Sequence, residues 1–150
     1  MKVFLGADHA GFALKEALET YLRRHKYDVV DLGNTQFEKN DDYPDFAFKV
    51  GEAVARTRGS RGVLVCGSGV GMGIVANKVR GIRATHASSP KIALVARRDD
   101  DANVISLGGR FMSPREAQKV VRVFLTAPAS TASRHRRRLD KVKRYERKKI

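Results

Sequence analysis

The chain has 150 residues, 42% of them hydrophobic, which suits one globular domain with a buried core. Its single cysteine excludes an intrachain disulfide and any multi-cysteine metal site, and a lone free thiol points to a reducing cytoplasm. The formal net charge is +14, but ten Lys/Arg against two Asp/Glu fall between Arg134 and Ile150, so the excess is largely C-terminal.

No apolar run approaches the ~20 residues that a membrane span requires. Met1 to Asp8 turns polar too soon for a signal peptide. There is no zinc-finger spacing and no RNP-like aromatic motif, so nucleic acid is not an expected partner. The basic tail reads either as a solvated helix or as one whose arginines bind phosphate.

Strand-like and helix-like segments alternate along the chain. Val3-Phe-Leu-Gly reads as a buried strand, and residues 11–25 place Phe12, Leu14, Leu18, Tyr21 and Leu22 at helical spacing with charges between them. Val29-Val-Asp-Leu is a second strand, followed by a polar loop from Thr35 to Asp42. Pro44 then opens a helix with Phe46, Val50 and Val54 on one face. Gly62 to Cys66 is the third strand, residues 71–79 the next helix and Arg83–Ala87 the fourth strand. Pro90 to Arg98 reads as a short helix and Val104-Ile-Ser-Leu as the fifth strand. Ser113-Pro-Arg-Glu116 is a capping box that opens a helix through Leu125, and Pro128 separates it from a basic helix over residues 131–150.

Such alternation predicts an α/β fold with a mostly parallel, five-stranded sheet and helices on both faces. Ligands in such sheets bind beyond the carboxyl ends of the strands, near a switch in strand order. That selects three loops: Gly6-Ala-Asp8-His9, Cys66–Gly73 and Gly108-Gly-Arg110. In the second, glycines at 67, 69, 71 and 73 follow the only cysteine and lead into a helix. Glycine lets backbone approach a ligand closely, and the helix start offers free N–H groups and a positive dipole end. A thiol beside such a loop is a candidate base or nucleophile for a small anionic substrate. The loop lacks the G-x-G-x-x-G of a dinucleotide fold and the Gly-Lys-Ser/Thr of a P-loop. Asp8 and His9 read either as an Asx turn with a partly exposed histidine or as ligands for substrate hydroxyls. Arg134 and Arg138 share a helix face, as a phosphate clamp requires and as solvated arginines also would. His86 on the fourth strand reads as a core or interface histidine.

The segments Gly6–Lys15, Asp42-Tyr-Pro44, Cys66-Gly-Ser-Gly-Val-Gly71, Ala76-Asn-Lys78, Gly81-Ile-Arg-Ala84, Ala102-Asn-Val104 and Arg134-His-Arg-Arg-Arg138 resemble the type B ribose-5-phosphate isomerases and the related galactose-6-phosphate isomerase subunits. The resemblance implies a Rossmann-like three-layer fold, a homodimer or a tetramer with active sites at the subunit interface, and metal-independent isomerisation without a cofactor. It makes Cys66 the base that moves a proton between carbons 1 and 2 through a cis-enediolate. Ser68 and the amides of Gly67, Gly69, Val70 and Gly71 would stabilise the enediolate oxygen. By the same resemblance Asp8 and His9 bind the sugar, Arg110, Arg134 and Arg138 bind phosphate, Tyr43 lies near the pocket, and the basic helix packs on the partner subunit.

One segment departs from the family. After the fourth helix the family usually carries His-Asn, the histidine serving as acid for ring opening, whereas this chain has Asp99 and Asp100. A carboxyl near its reference pKa of ~3.9 is a poor proton donor at neutral pH. Asp99 then reads as a donor or as a base on the anomeric hydroxyl, ring opening falls to another group or to solvent, or the pocket serves another sugar phosphate. Asp99 and Asp100 also precede the fifth strand, at the amino end of the sheet, so only another subunit can present them to Cys66. The expected activity is interconversion of ribose 5-phosphate and ribulose 5-phosphate. The alternatives are a hexose 6-phosphate isomerase, or a non-catalytic protein that binds sugar phosphate or nucleic acid.

Overall fold

The computed structural model describes residues 1–148. Eleven elements follow in order: β1 (Lys2–Ala7), α1 (Phe12–Arg24), β2 (Asp28–Asp31), α2 (Tyr43–Arg56), β3 (Arg61–Cys66), α3 (Val70–Ala76), β4 (Ala84–His86), α4 (Pro90–Asp100), β5 (Val104–Gly108), α5 (Pro114–Thr126) and α6 (Ser133–Arg147). The strands form one sheet in the order β2-β1-β3-β5-β4, and every neighbouring pair is parallel.

Period-two alternation along the strands splits the core into two layers. Val3, Leu5, Val63, Val65, Ile105 and Leu107 face α1, α4 and α5, where Leu14, Leu18, Ala93, Val121 and Phe124 cover them. Phe4, Leu64, Cys66 and Val104 face the other way, against Phe46, Val50, Met72 and Ala76 of α2 and α3. Buried on both sides, β3 and β5 read as nearly continuous apolar runs. The chain goes from β1 out to β2 and returns to place β3 on the other flank of β1. The switch in strand order therefore lies between β1 and β3.

Several boundaries differ from the sequence reading for identifiable reasons. The helix expected over 71–79 stops at Ala76, because Asn77 turns its side chain to the backbone of Ala84, donating to its carbonyl at 2.9 Å and accepting from its N–H at 2.7 Å. The fourth helix runs on to Asp100, where Asp101 leaves it in the left-handed region at φ 47°. The last helix starts at Ser133, and residues 149–150 of the expected basic helix lie outside the described residues. The capping box at Ser113 and Glu116 forms in both directions.

Lys15 breaks the helical pattern of α1. It is fully buried, with Nζ bonded to Asp31 at the end of β2, to Glu16 at 2.7 Å and to the Asn34 carbonyl at 3.1 Å. Burial opposes its charge, but the bonds to Asp31 and Glu16 outweigh it and hold its pKa above the ordinary lysine value. Lys15 thereby ties the loop after β2 to α1. The described residues contain no helix long and apolar enough to cross a membrane.

Candidate active site

The three loops selected from the sequence converge at the carboxyl end of the sheet. Backbone bonds lock them together: Gly109 N–H donates to the Cys66 carbonyl at 2.7 Å, Arg110 N–H to Gly67 at 3.1 Å, and Asp8 N–H to Val65 at 3.4 Å. Between them lies a cavity of about 200 Å³ bounded by Asp8, His9, Tyr43, Cys66, Ser68 and Arg110. A larger groove of about 610 Å³ runs along α6 beside Arg136, Arg137 and Arg144. Asp140, Lys143 and arginines line it without a thiol or a glycine loop. Cys66, the glycine loop and Arg110 meet in the smaller cavity, which is the better candidate for chemistry on an anionic substrate.

Cys66 ends β3, buried, with Gly69 N–H donating to its Sγ at 3.1 Å. That bond needs the loop to double back within three residues, which Gly69 allows at φ 81°. A Cβ there would lie 2.7 Å from the Leu107 carbonyl carbon and 2.8 Å from His86 Cδ2, so no other residue fits without moving β5. The buried Ser106 hydroxyl fixes the loop from below by donating to the Gly69 carbonyl. Ser68 Oγ accepts from Val70 N–H at 3.2 Å, which turns the chain into α3.

The alternating glycines also make room for side chains. A Cβ on Gly71 would stand 2.9 Å from the Tyr43 ring, and one on Gly67 would stand 3.0 Å from the Arg110 guanidinium carbon. Both side chains thus lie directly on the loop. Salt bridges among the described residues engage Arg23, Arg56, Arg83, Arg97 and Arg98, whereas Arg110 has none and faces the cavity. An uncompensated guanidinium beside a glycine loop suits a phosphate group.

Asp8 forms the expected Asx turn, its Oδ1 accepting from Gly11 N–H at 2.9 Å. Burial raises its pKa above the ordinary aspartate value despite that bond. His9 is oriented by a residue that the sequence reading missed. Asp41 Oδ1 lies 2.9 Å from His9 N and 2.8 Å from Nδ1, while Asn34 Nδ2 donates to Asp41 Oδ2 at 3.1 Å. The carboxylate thus grips one edge of the imidazole and leaves Nε2 for the cavity. Phe37 packs edge-on against His9 at 6.4 Å. Asp41 lies 32 residues from His9 in a polar loop, and the run Asn40-Asp-Asp42 was its only trace in the sequence.

Asp99, Asp100, Arg134 and Arg138 lie elsewhere in this chain. Asp99 and Asp100 end α4 at the amino end of the sheet, as expected from their order. Arg98 holds Asp99 with bonds of 2.6 and 3.1 Å, and the Asp99 carbonyl lies 3.1 Å from His135 Nδ1 on α6. The Arg98 bond is the main reason that the Asp99 carboxyl titrates below its ordinary value. Arg134 and Arg138 stand exposed on α6, and Val70 is half exposed at the start of α3. His86 is exposed rather than part of the core, with its ring beside Gly69, because β4 is a three-residue edge strand. Glu16, Glu19 and Asp31 gather away from Cys66, and Lys15 already bonds two of them.

The profile of the family described as Ribose/Galactose Isomerase matches residues 3–142. A probable ribose-5-phosphate isomerase B of Mycoplasma genitalium is 44% identical over 145 residues, covering 96% of this chain and 95% of that protein. Ribose-5-phosphate isomerase B of Mycobacterium tuberculosis is 40% identical over 147 residues, covering 98% and 91%. Among solved structures, the Mycoplasma genitalium enzyme with bound ribulose 5-phosphate superposes with a TM-score of 0.93 at 42% identity, over 99% of this chain and 97% of that one. The type B enzyme of Trypanosoma cruzi gives a TM-score of 0.92 at 38% identity, over 97% and 98%. With sequence and three-layer fold matched from end to end, the chain belongs to the ribose/galactose isomerase family.

Proposed function

We propose that this chain is an aldose–ketose isomerase that interconverts ribose 5-phosphate and ribulose 5-phosphate, with Cys66 as the base. The observation that carries the mechanism is the buried Cys66 sulfur, held by the Gly69 amide in a cavity that also presents Arg110 and His9. Arg110 anchors the anionic end of the substrate and His9 the sugar, and fixed geometry converts that binding into orientation of the reacting carbons. Cys66 as thiolate takes the proton from C2 of the open-chain aldose. The C–H electron pair forms the C1=C2 bond, and the carbonyl π electrons move onto O1 as an enediolate. Return of the proton from Cys66 to C1, with transfer of the O2 proton to O1, gives the ketose.

Gly69 N–H already serves Cys66 and Val70 N–H serves Ser68. Among the five loop amides, the enediolate oxygen is therefore left to Gly67, Ser68 and Gly71. This is stabilisation by fixed donors that need no rearrangement as charge develops.

A second copy of the chain completes the site. Val70 and Ile74, one turn apart on α3 beside the cavity, are 50% and 57% exposed, an apolar pair suited to a subunit contact. A dimer with α6 on its partner would bring Asp99, Asp100, Arg134 and Arg138 to the neighbouring Cys66. Asp99, kept ionised by Arg98, then accepts the proton of the anomeric hydroxyl as the bond from C1 to the ring oxygen breaks, and water protonates the departing ring oxygen. The free thiol suits a reducing cytoplasm.

The test is turnover of ribose 5-phosphate by chelator-treated protein. Cys66→Ala should lower kcat by at least ~10³-fold while leaving the unfolding transition in place. Undiminished kcat in that variant would remove Cys66 from the mechanism.

A further inference from the structure

The far end of β3 carries a second cationic cavity with no part in the isomerisation. Arg61 begins the strand that Cys66 ends, so the two lie about 16 Å apart by the rise of a parallel strand. Beside Arg61 is a cavity of about 360 Å³, bounded by the turn after α2, by Gly81 and Arg83, and by Asp101.

Its charges do not balance. Arg61 Nη1 donates to the Ser60 carbonyl at 2.8 Å, but its Nε is buried and has no hydrogen-bond partner among the described residues. An unpaired N–H of a cationic group withdrawn from water is costly, so such a group calls for an acceptor. The charged groups facing Arg61 are Arg97, Asp101 and Arg83. Asp101 is the one carboxylate among them, and both its oxygens are taken, Oδ1 by Arg97 at 2.7 Å and Oδ2 by Arg83 at 2.9 Å. Arg58 adds a further cation at the rim. Glu146 of α6 accepts from Gly81 N–H at 3.3 Å but does not line the cavity.

Burial is the largest cause of a lowered Arg61 pKa, and repulsion from Arg97 and Arg83 adds to it. The mouth is open, since Gly59 and Gly81 both turn at positive φ with nothing within 4 Å of where a Cβ would stand. Cationic surplus, an orphaned donor and an accessible mouth together suit a compact anion.

We propose that this cavity is an oxyanion site that takes a phosphate group, as inorganic phosphate or as the end of a phosphate monoester, between the side chains of Arg58, Arg61 and Arg83 that line it. The anion would balance the cationic surplus left by Asp101, and the Arg61 Nε–H, beside it, would report its binding. The site is separate from the Cys66 cavity and does not depend on the isomerase reading.

The test is a titration of the full chain, labelled with ¹⁵N, with sodium phosphate and with sodium chloride at matched ionic strength. The arginine Nε–H signals are recorded, and the Arg61 signal is assigned by its loss in Arg61→Gln. Phosphate should shift that signal saturably, and should do so equally in Arg110→Ala, in which the Cys66 cavity has lost its anchor. A repeat with ribose 5-phosphate and glycerol phosphate separates the sources: tighter binding of the esters assigns a monoester, and equal or weaker binding assigns the free anion. An Arg61 signal that does not move, or that follows chloride as it follows phosphate, would overturn the proposal. Thermal unfolding gives an independent reading. Phosphate should raise Tm in Arg110→Ala, and the double variant Arg61→Gln/Arg110→Ala should lose that rise. An equal rise in both would also overturn it.

Discussion

Replacing Gly69 by alanine tests the loop geometry on which the active site depends. At φ 81° an alanine suffers left-handed strain of about 1–2 kcal/mol. Its Cβ would also come within 2.7 Å of the Leu107 carbonyl carbon, 2.8 Å of His86 Cδ2 and 2.9 Å of Gly108 N. Two of these atoms belong to the backbone of β5 and cannot rotate away, which adds an overpacking cost of about 1–3 kcal/mol. Gly59→Ala is the matched control, because Gly59 has φ 80° but nothing within 4 Å of where its methyl would stand. The two substitutions share the strain and differ only in the clash. With about 2–4 °C of Tm per kcal/mol in a domain of this size, Gly69→Ala should melt about 2–12 °C below Gly59→Ala. Thermal unfolding by circular dichroism measures the difference. Relief of the clash must also displace the Gly69 N–H from Cys66 Sγ, so turnover should fall in Gly69→Ala at temperatures where it remains folded. Equal melting temperatures for the two variants would refute the close approach of the loop to β5.

Asp41→Ala removes the acceptor that grips His9, a loss of about 1–3 kcal/mol, and should raise KM for ribose 5-phosphate by roughly ten-fold or more with little change in kcat. Asp41→Asn retains an acceptor oxygen and should recover most of the affinity; a fall in kcat at constant KM would contradict the positioning role. For Asp8, burial places the folded-state pKa above the unfolded one, so the ionised group costs stability at neutral pH and the cost fades as pH falls through the raised value. Asp8→Asn should therefore raise Tm at neutral pH, with a gain that shrinks on acidification, and a gain that grows towards low pH would reverse the assignment. Asp99, held ionised by Arg98, should contribute as an acceptor. Asp99→Asn should slow turnover of the cyclic sugar while leaving open-chain analogues unaffected, and unchanged rates on every substrate would remove it from ring opening.

The fold was largely legible in the sequence because its signals are local. Buried strands appear as β-branched runs, and Pro44, Pro90 and Pro114 mark helix starts with the first-turn tolerance of proline. The loops at the carboxyl end followed from the alternation of strands and helices and from the polar and glycine residues after strands one, three and five. What escaped was set by contacts distant in sequence. Lys15 looked like one of the solvated charges of α1, and only its ion pair with Asp31 and its bond to the Asn34 carbonyl make a buried lysine tolerable. Asp41 acquires its meaning from His9, and His86 is exposed because β4 sits at the sheet edge. Asp99 was placed correctly at the amino end, but its partner Arg98 decides its ionisation, and adjacency alone does not reveal which of two neighbouring arginines turns toward it. Arg97 turns inward to Asp101 instead.

The central claim, that the Cys66 sulfur carries the proton between the two carbons, is tested most directly by isotope exchange in D₂O. Wild-type protein at equilibrium with ribose 5-phosphate should place deuterium at C2 of the aldose and C1 of the ketose, read by NMR, while Cys66→Ala, folded and still able to bind substrate, should place none. Exchange at the wild-type rate in Cys66→Ala would contradict the account.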